Sequence, residues 1–279
     1  MTIKLISAFI LAFLFATAFG KFYIPWLRKQ KAGQEIKENG PTWHMAKTGT
    51  PTMGGVIFIL AVTFVCLTIG LPSLVKGNWV HIFVLLFALV FGAIGFLDDW
   101  EKLKKKQNLG LTASKKFLLQ LAAALVFVLL MRRIGYTRPN LYIPFFNKTV
   151  PMPEWLYFVF AAFIIVGTVN AVNITDGVDG LSASVAVVTI GTYLLAYKTE
   201  LAEYGTAGVV FMGALLAYLW SNAKPSSLLM GDAGSRAMGF FIAMLSLKCG
   251  HPFAFLLAAI VFIVDGSLGI LKISLKRFL

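Results

Sequence analysis

Nine mostly apolar stretches, separated by short charged loops, constrain this 279-residue chain more than any other feature. They are residues 5–27, 51–71, 79–97, 117–131, 155–172, 180–197, 204–220, 237–249 and 252–271. A helix that crosses a bilayer needs about 20 consecutive residues of this kind. Charged residues make up 13% of the chain and its mean hydropathy is +0.81. A soluble domain carries about 25% charge. So little charge cannot cover the surface of a water-soluble globule, which excludes soluble enzymes. With 25 Phe, 8 Tyr and 6 Trp there is also far too much surface to bury for a disordered chain. The expected fold is all-α, a polytopic membrane helix bundle forming a single transmembrane domain over residues 1–279. The first stretch begins after Lys4 and passes the small residues of ATAFG, as a cleaved leader would. It runs on to Trp26 and the basic Arg28-Lys29-Gln30-Lys31, however, and so reads as an anchored helix. Cys66 and Cys249 lie in separate apolar runs and form neither a disulfide framework nor a metal spacing.

Nine spans put the two ends of the chain on opposite sides. One side collects Lys21, the 28–50, 98–116 and 221–236 loops and the C-terminal Lys272, Lys276 and Arg277, which together hold 17 of the 25 basic residues. The excess of Lys and Arg marks that side as cytoplasmic, with the N-terminus outside. Trp26, Trp79, Trp100, Trp155 and Trp220 fall at span ends, where an interfacial aromatic belt belongs.

Topology alone does not demand where the acids lie. All six aspartates, Asp98, Asp99, Asp176, Asp179, Asp232 and Asp265, map to the cytoplasmic half. Ionisable groups at membrane depth are costly and line functional sites. In FGAIGFLDDW, the adjacent Asp98 and Asp99 end an apolar helix and lead into a loop carrying Lys102, Lys106 and Lys116. Neighbouring carboxylates need a cation to stay ionised together, and such a pair suits Mg²⁺ beside phosphate oxygens. In NAVNITDGVDGLSA, Asn170, Asn173, Asp176 and Asp179 recur at spacings of three, sharing a face if helical. Helix capping accounts for one Asp there but not for two Asn and two Asp. In SNAKPSSLLMGDAGS, Asp232 follows Gly231 at a helix start, an arrangement that receives phosphate on backbone N–H groups. Lys47 to Gly55, KTGTPTMGG, places hydroxyls, glycines and one lysine at the start of the second span. It is not a P-loop.

His44, His81 and His251 are far apart, so no histidine zinc site is written in the chain. Neither a G-x-S-x-G elbow nor a G-x-G-x-x-G fingerprint occurs. Carboxylates, ammonium groups and glycine turns on one membrane face fit Mg²⁺-assisted phosphoryl transfer between an anionic donor and a lipid acceptor. An ion-coupled transporter is the alternative outside enzymes. It expects acids at the bilayer midplane and an internal repeat, and Asp265 alone is a candidate for the former.

In their order along the chain, KTGTPTMGG, FLDDW with its lysine-rich loop, NAVNITDGVDGLS and MGDAGS closely resemble the phospho-N-acetylmuramoyl-pentapeptide transferase family. That family belongs to the polyprenyl-phosphate N-acetylhexosamine-1-phosphate transferases, and the likeness runs from about Lys47 onward. The resemblance implies transfer of phospho-MurNAc-pentapeptide from its UDP carrier to undecaprenyl phosphate, giving lipid I and UMP in the membrane step of peptidoglycan synthesis. A UDP-GlcNAc or UDP-GalNAc transferase of the same superfamily is the alternative. It also implies a Mg²⁺ cofactor and a bacterial plasma-membrane location. A homodimer is an implied partner, nucleic acid is not. Carried over by position, Asp98, Asp99 and Asp232 are the implied catalytic and metal-binding residues, Asp232 the principal ligand and Asp98 the acceptor of a proton from the lipid phosphate. Asn170, Asn173, Asp176, Asp179, Asn222 and Gly231 are implied to line the nucleotide-sugar cleft, and Lys47, Thr52, Lys102, Lys106 and Lys116 to approach the diphosphate.

One segment and two positions depart from the family pattern. The family has one further span, preceded by a histidine-rich cytoplasmic motif, so the chain is expected to lack the family's last loop and helix. Leu229 stands where a Phe often stacks on uracil, and Arg236 follows MGDAGS in place of the usual apolar residue.

Overall fold

The computed structural model describes residues 2–30, 50–77, 79–105, 110–202 and 205–278. Every one of the apolar stretches contains a helix: α1 (Thr2–Lys29), α2 (Gly55–Ile69), α4 (Val80–Lys105), α5 (Ala113–Arg133), α6 (Glu154–Thr175), α7 (Leu181–Ala196), α8 (Gly205–Asn222) and α9 (Gly231–Cys249), with α10 (Pro252–Ala258) and α11 (Ile260–Phe278) sharing the last. Among the described residues, four segments, Ile3–Lys29, His81–Lys105, Ala113–Arg133 and Glu154–Thr175, are long and apolar enough to cross a membrane. A short α3 (Leu71–Val75) follows α2.

The chain is mostly helical, as expected of a helix bundle, and the structure refines that expectation in three places. One hairpin lies between the helices: β1 (Asn140–Ile143) and β2 (Lys148–Pro151) pair antiparallel, Asn140 opposite Pro151. Asn147, in left-handed conformation at φ 48°, closes the turn and accepts a 2.8 Å hydrogen bond from the Tyr142 hydroxyl. The ninth stretch is two helices, parted at Ala259. Close to the break, Thr189 of α7 donates to the Ala258 carbonyl at 2.8 Å, supplying a partner to a group at the end of α10. Finally, α4 continues two turns past residue 97, so Asp98 and Asp99 are helical. Ion pairs at i,i+4, Asp98 with Lys102 and Glu101 with Lys105, both 2.7 Å, support this extension.

Successive long helices alternate in direction. At one end, Tyr23 of α1 reaches the Met53 carbonyl ahead of α2, Lys116 of α5 pairs with Asp98 of α4, and Asn173 of α6 meets Asp232 at the start of α9. At the other end, Arg132 of α5 pairs with Glu154 of α6, and the Tyr142 N–H of β1 donates to the Gly250 carbonyl after α9. There His251 lies between the Tyr142 and Tyr197 rings, at 4.4 and 4.7 Å.

At the centre is α9, packed on α2, α4, α6 and α7. Every residue from Ala233 to Leu247 is buried. Its Phe240 ring stacks on Phe91 of α4 at 4.8 Å and meets Phe127 of α5 edge-on at 4.9 Å. Cutting that ring away removes the contact that binds three helices at once. Phe240→Ala is expected to destabilise the bundle by about 3–5 kcal/mol, read as a lower thermal unfolding midpoint in detergent. An unchanged midpoint would show that α4, α5 and α9 are held by other contacts.

Candidate active site

Two close approaches of backbone bring the acids together. A Cβ at Gly95 of α4 would lie 2.1 Å from the Asp232 carbonyl oxygen, so α4 and α9 touch main chain to main chain one turn before Asp98 and Asp99. Gly231 opens α9 at φ +79°, and a Cβ there would lie 2.7 Å from Asp99 Oδ2 and 3.0 Å from Thr52 Oγ1. The strand-like segment holding Thr52 is tied to the approach to α9 by three 2.8 Å backbone bonds, Leu229 N–H to Pro51 and Gly54 and Gly55 N–H to Leu229 and Met230.

Asp98, Asp99 and Asp232 each offer a carboxylate oxygen, all within 4.8 Å of one another. Asp98 is fully buried. Its Oδ2 lies 2.7 Å from Lys102 Nζ and 3.3 Å from Lys116 Nζ, and its Oδ1 accepts the Leu111 N–H at 2.7 Å. Asp99 accepts the Ala233 N–H at 3.4 Å, at the positive end of α9, and lies 3.5 Å from Lys102. Asp232 Oδ1 accepts from the Asn173 amide at 3.0 Å, while its Oδ2 meets Lys102 at 3.4 Å and Arg236 Nη2 at 3.0 Å. Lys102 therefore stands within 3.5 Å of all three carboxylates. Three carboxyl groups face three basic side chains, which is what allows so many ionisable groups to share a buried site.

Of the expected site residues, Thr52, Asp98, Asp99, Lys102, Lys116, Asn173, Gly231 and Asp232 converge here. The other four described ones make contacts of their own. The Asn170 amide donates to Gln120 of α5 at 2.7 Å and to the Val166 carbonyl. Asp176 accepts from Ser182 at 2.7 Å and Asp179 from the Ser226 N–H at 3.4 Å. Asn222, buried at the end of α8, accepts the Gly180 N–H at 3.0 Å and donates to the Leu228 carbonyl at 2.9 Å, clamping two loops. Lys47 and Lys106 lie outside the described residues.

Carboxylate oxygens alone make a hard donor set, the kind Mg²⁺ takes together with water and phosphate oxygens, so Asp98, Asp99 and Asp232 fit such an ion. Residues 81–250 match the family model described as glycosyl transferase family 4, and residues 47–59 match phospho-N-acetylmuramoyl-pentapeptide-transferase signature 1. A relative named phospho-N-acetylmuramoyl-pentapeptide-transferase from Caldanaerobacter subterraneus subsp. tengcongensis is 39% identical over 279 residues, covering 99% of this chain and 85% of the relative. Relatives of the same name from Latilactobacillus sakei subsp. sakei and Listeria monocytogenes serotype 4b are 34% and 37% identical, covering 100% and 96% of this chain and 86% and 82% of their own length. The chain belongs to the phospho-N-acetylmuramoyl-pentapeptide transferase family.

In this transferase-family chain the signature stretch supplies Thr52, and the larger match spans the Asp98-Asp99 pair, Asn173 and Asp232. Three residues at or near the site were not singled out by motif. Ser235 accepts from the Asn173 amide at 2.8 Å, and Gln120 partners Asn170. Arg236, noted only as a departure, is the ion partner of Asp232. A lone Gln inside the apolar run of α5 and a basic residue four places after an Asp were the available signals.

The contact at Gly95 yields a direct test. Gly95→Ala drives a methyl into the Asp232 carbonyl and parts α4 from α9. At Gly92 the nearest atoms to an added Cβ are 3.4 Å away, and the methyl is accommodated. Gly95→Ala is expected to weaken Mn²⁺ binding by about ten-fold or more, measured on the purified protein in detergent with saturating UMP, with Gly92→Ala close to the parent. Equal binding by both variants would contradict the tight crossing.

Proposed function

We propose that the protein transfers phospho-MurNAc-pentapeptide from its UDP carrier to undecaprenyl phosphate, releasing UMP and leaving lipid I in a bacterial plasma membrane. The observation that carries this reading is the buried triad of Asp98, Asp99 and Asp232 with Lys102 among its oxygens. An oxygen of the acceptor phosphate bonds to the phosphorus that carries the sugar. The diphosphate P–O bond breaks, and its electron pair leaves with UMP. Both reactants are anionic, so their mutual repulsion is the barrier the site has to lower. Mg²⁺ held by the triad would supply Lewis-acid stabilisation of charge on the phosphate oxygens.

The chain's own groups do the rest. Lys102 and Lys116, with side chains 31% and 25% exposed, swing from the carboxylates to the incoming phosphates. Asp98, relieved of both, takes a proton from the acceptor phosphate. Asn173 and Ala233 N–H keep Asp232 and Asp99 oriented. Asp176, Asp179 and the Asn222 clamp form the nucleotide-sugar wall. A mostly apolar groove lined by Leu181, Ile260, Val261, Val264 and Leu268, with Asp265 among them, gives a polyprenyl chain a surface to lie on. The bias of basic residues supports a cytoplasmic position for the triad.

UMP release in detergent tests the proposal, with undecaprenyl phosphate, Mg²⁺ and either UDP-MurNAc-pentapeptide or UDP-GlcNAc as donor. Release from the muramoyl donor only, abolished by EDTA, is expected. Asp98→Asn, Asp99→Asn and Asp232→Asn should each lower the rate about 10²- to 10³-fold. Release from UDP-GlcNAc alone would transfer the chain to the sister branch, and release from neither would overturn the assignment.

A further inference from the structure

Arg236 lies one turn beyond Asp232 on the central helix and is 2% exposed. A guanidinium carries five N–H donors and cannot shed its proton. Here Nη2 donates to Asp232 Oδ2 at 3.0 Å, whereas Nε and Nη1 are buried with no hydrogen-bond partner among the described residues. An apolar side chain would fill the same place in α9 without stranding donors. A buried charge with two donors left without a partner points to a role beyond packing.

The three cations of the site differ in mobility. Lys102 and Lys116 are partly exposed on flexible stems and can leave the carboxylates. Arg236 is enclosed by the helices around α9 and cannot. With all three in place the carboxylates are already neutralised. Adding a divalent cation then makes the site positive, and an anion that draws the two lysines away relieves that excess. Without Arg236 the carboxylates would outnumber the cations and hold a metal ion unaided.

We propose that Arg236 is a permanent counter-ion of Asp232 that makes divalent-cation binding at the triad conditional on a phosphate-bearing ligand. The inference rests on the reading of the triad as a metal site. Metal and anion then raise each other's affinity by the same factor, as linkage requires. Arg236 touches Asp232 rather than substrate, so it is a positioning residue whose effect is read in metal affinity.

The test titrates Mn²⁺ into the full chain in detergent, following the free-ion electron paramagnetic resonance signal with and without saturating UMP. The signal is corrected for the weak complex of Mn²⁺ with UMP itself. In the parent, UMP is expected to tighten Mn²⁺ binding by about ten-fold or more. Arg236→Met and Arg236→Gln, checked for monodispersity and thermal unfolding, should bind Mn²⁺ about ten-fold tighter than the parent without UMP and lose most of the UMP dependence. Arg236→Lys keeps a cation beside Asp232 and should stay closer to the parent than either neutral variant. A parent indifferent to UMP overturns the proposal without recourse to any variant, as does a folded neutral variant that binds Mn²⁺ no more tightly. If Asp232→Asn binds Mn²⁺ as well as the parent, the metal-site reading itself falls.

Discussion

Three carboxylates held within 4.8 Å of one another and largely out of water cannot all stay ionised unless cations are buried with them. Much of the bundle's construction meets that one condition. α4 extends past its apolar run so that Lys102 can lie over Asp98, Asp99 and Asp232 together. α5 starts at a Thr112 cap that places Lys116 against Asp98. α9 carries Asp232 and Arg236 on successive turns, and its first N–H groups face Asp99. Gly95 and Gly231 admit the main-chain contacts without which these charges would sit too far apart to offset one another.

The cations are not interchangeable. An ammonium on a four-carbon stem can follow a phosphate oxygen, whereas an enclosed guanidinium keeps its charge and place. The site thus has an enclosed positive charge beside Asp232 and two partly exposed ones beside the carboxylates. A reaction between two anions calls for that division. On the proposed reading the movable charges escort the phosphates, and the fixed one keeps Asp232 from being the unpaired member of the cluster.

Much of this was legible in the chain because its causes are local. Apolar runs of spanning length become helices wherever backbone groups must be satisfied within their own segment. The Asp98–Lys102 pair follows from helical i,i+4 spacing once α4 is known to continue. What stayed hidden depends on contacts between distant segments. The hairpin at 140–151 has only Asn147 and Pro144 as signals, and its fit to Gly250 and His251 is tertiary. The break at Ala259 coincides with a hydroxyl donated from α7, which no local pattern in 252–271 announces. Asn170 and Asn173 stand one turn apart in one motif, yet one amide turns to Gln120 and the other to Asp232. Spacing places them on a common face but cannot say which neighbour each will find.

The same partition separates framework from chemistry. Asn222 joins Gly180 to Leu228, Ser226 N–H holds Asp179, and residues 51–55 pair with 229–230 through main-chain bonds. Bonds that end on backbone fix loop positions, because the partner atom has no rotamer to change. Around the triad most contacts run between side chains, and two of the donors sit on stems that reach solvent. A site built this way keeps its walls while its charges redistribute. Electrostatic catalysis is strongest under those conditions, since the dipoles that meet developing charge are already in place and only the counter-ions have to move.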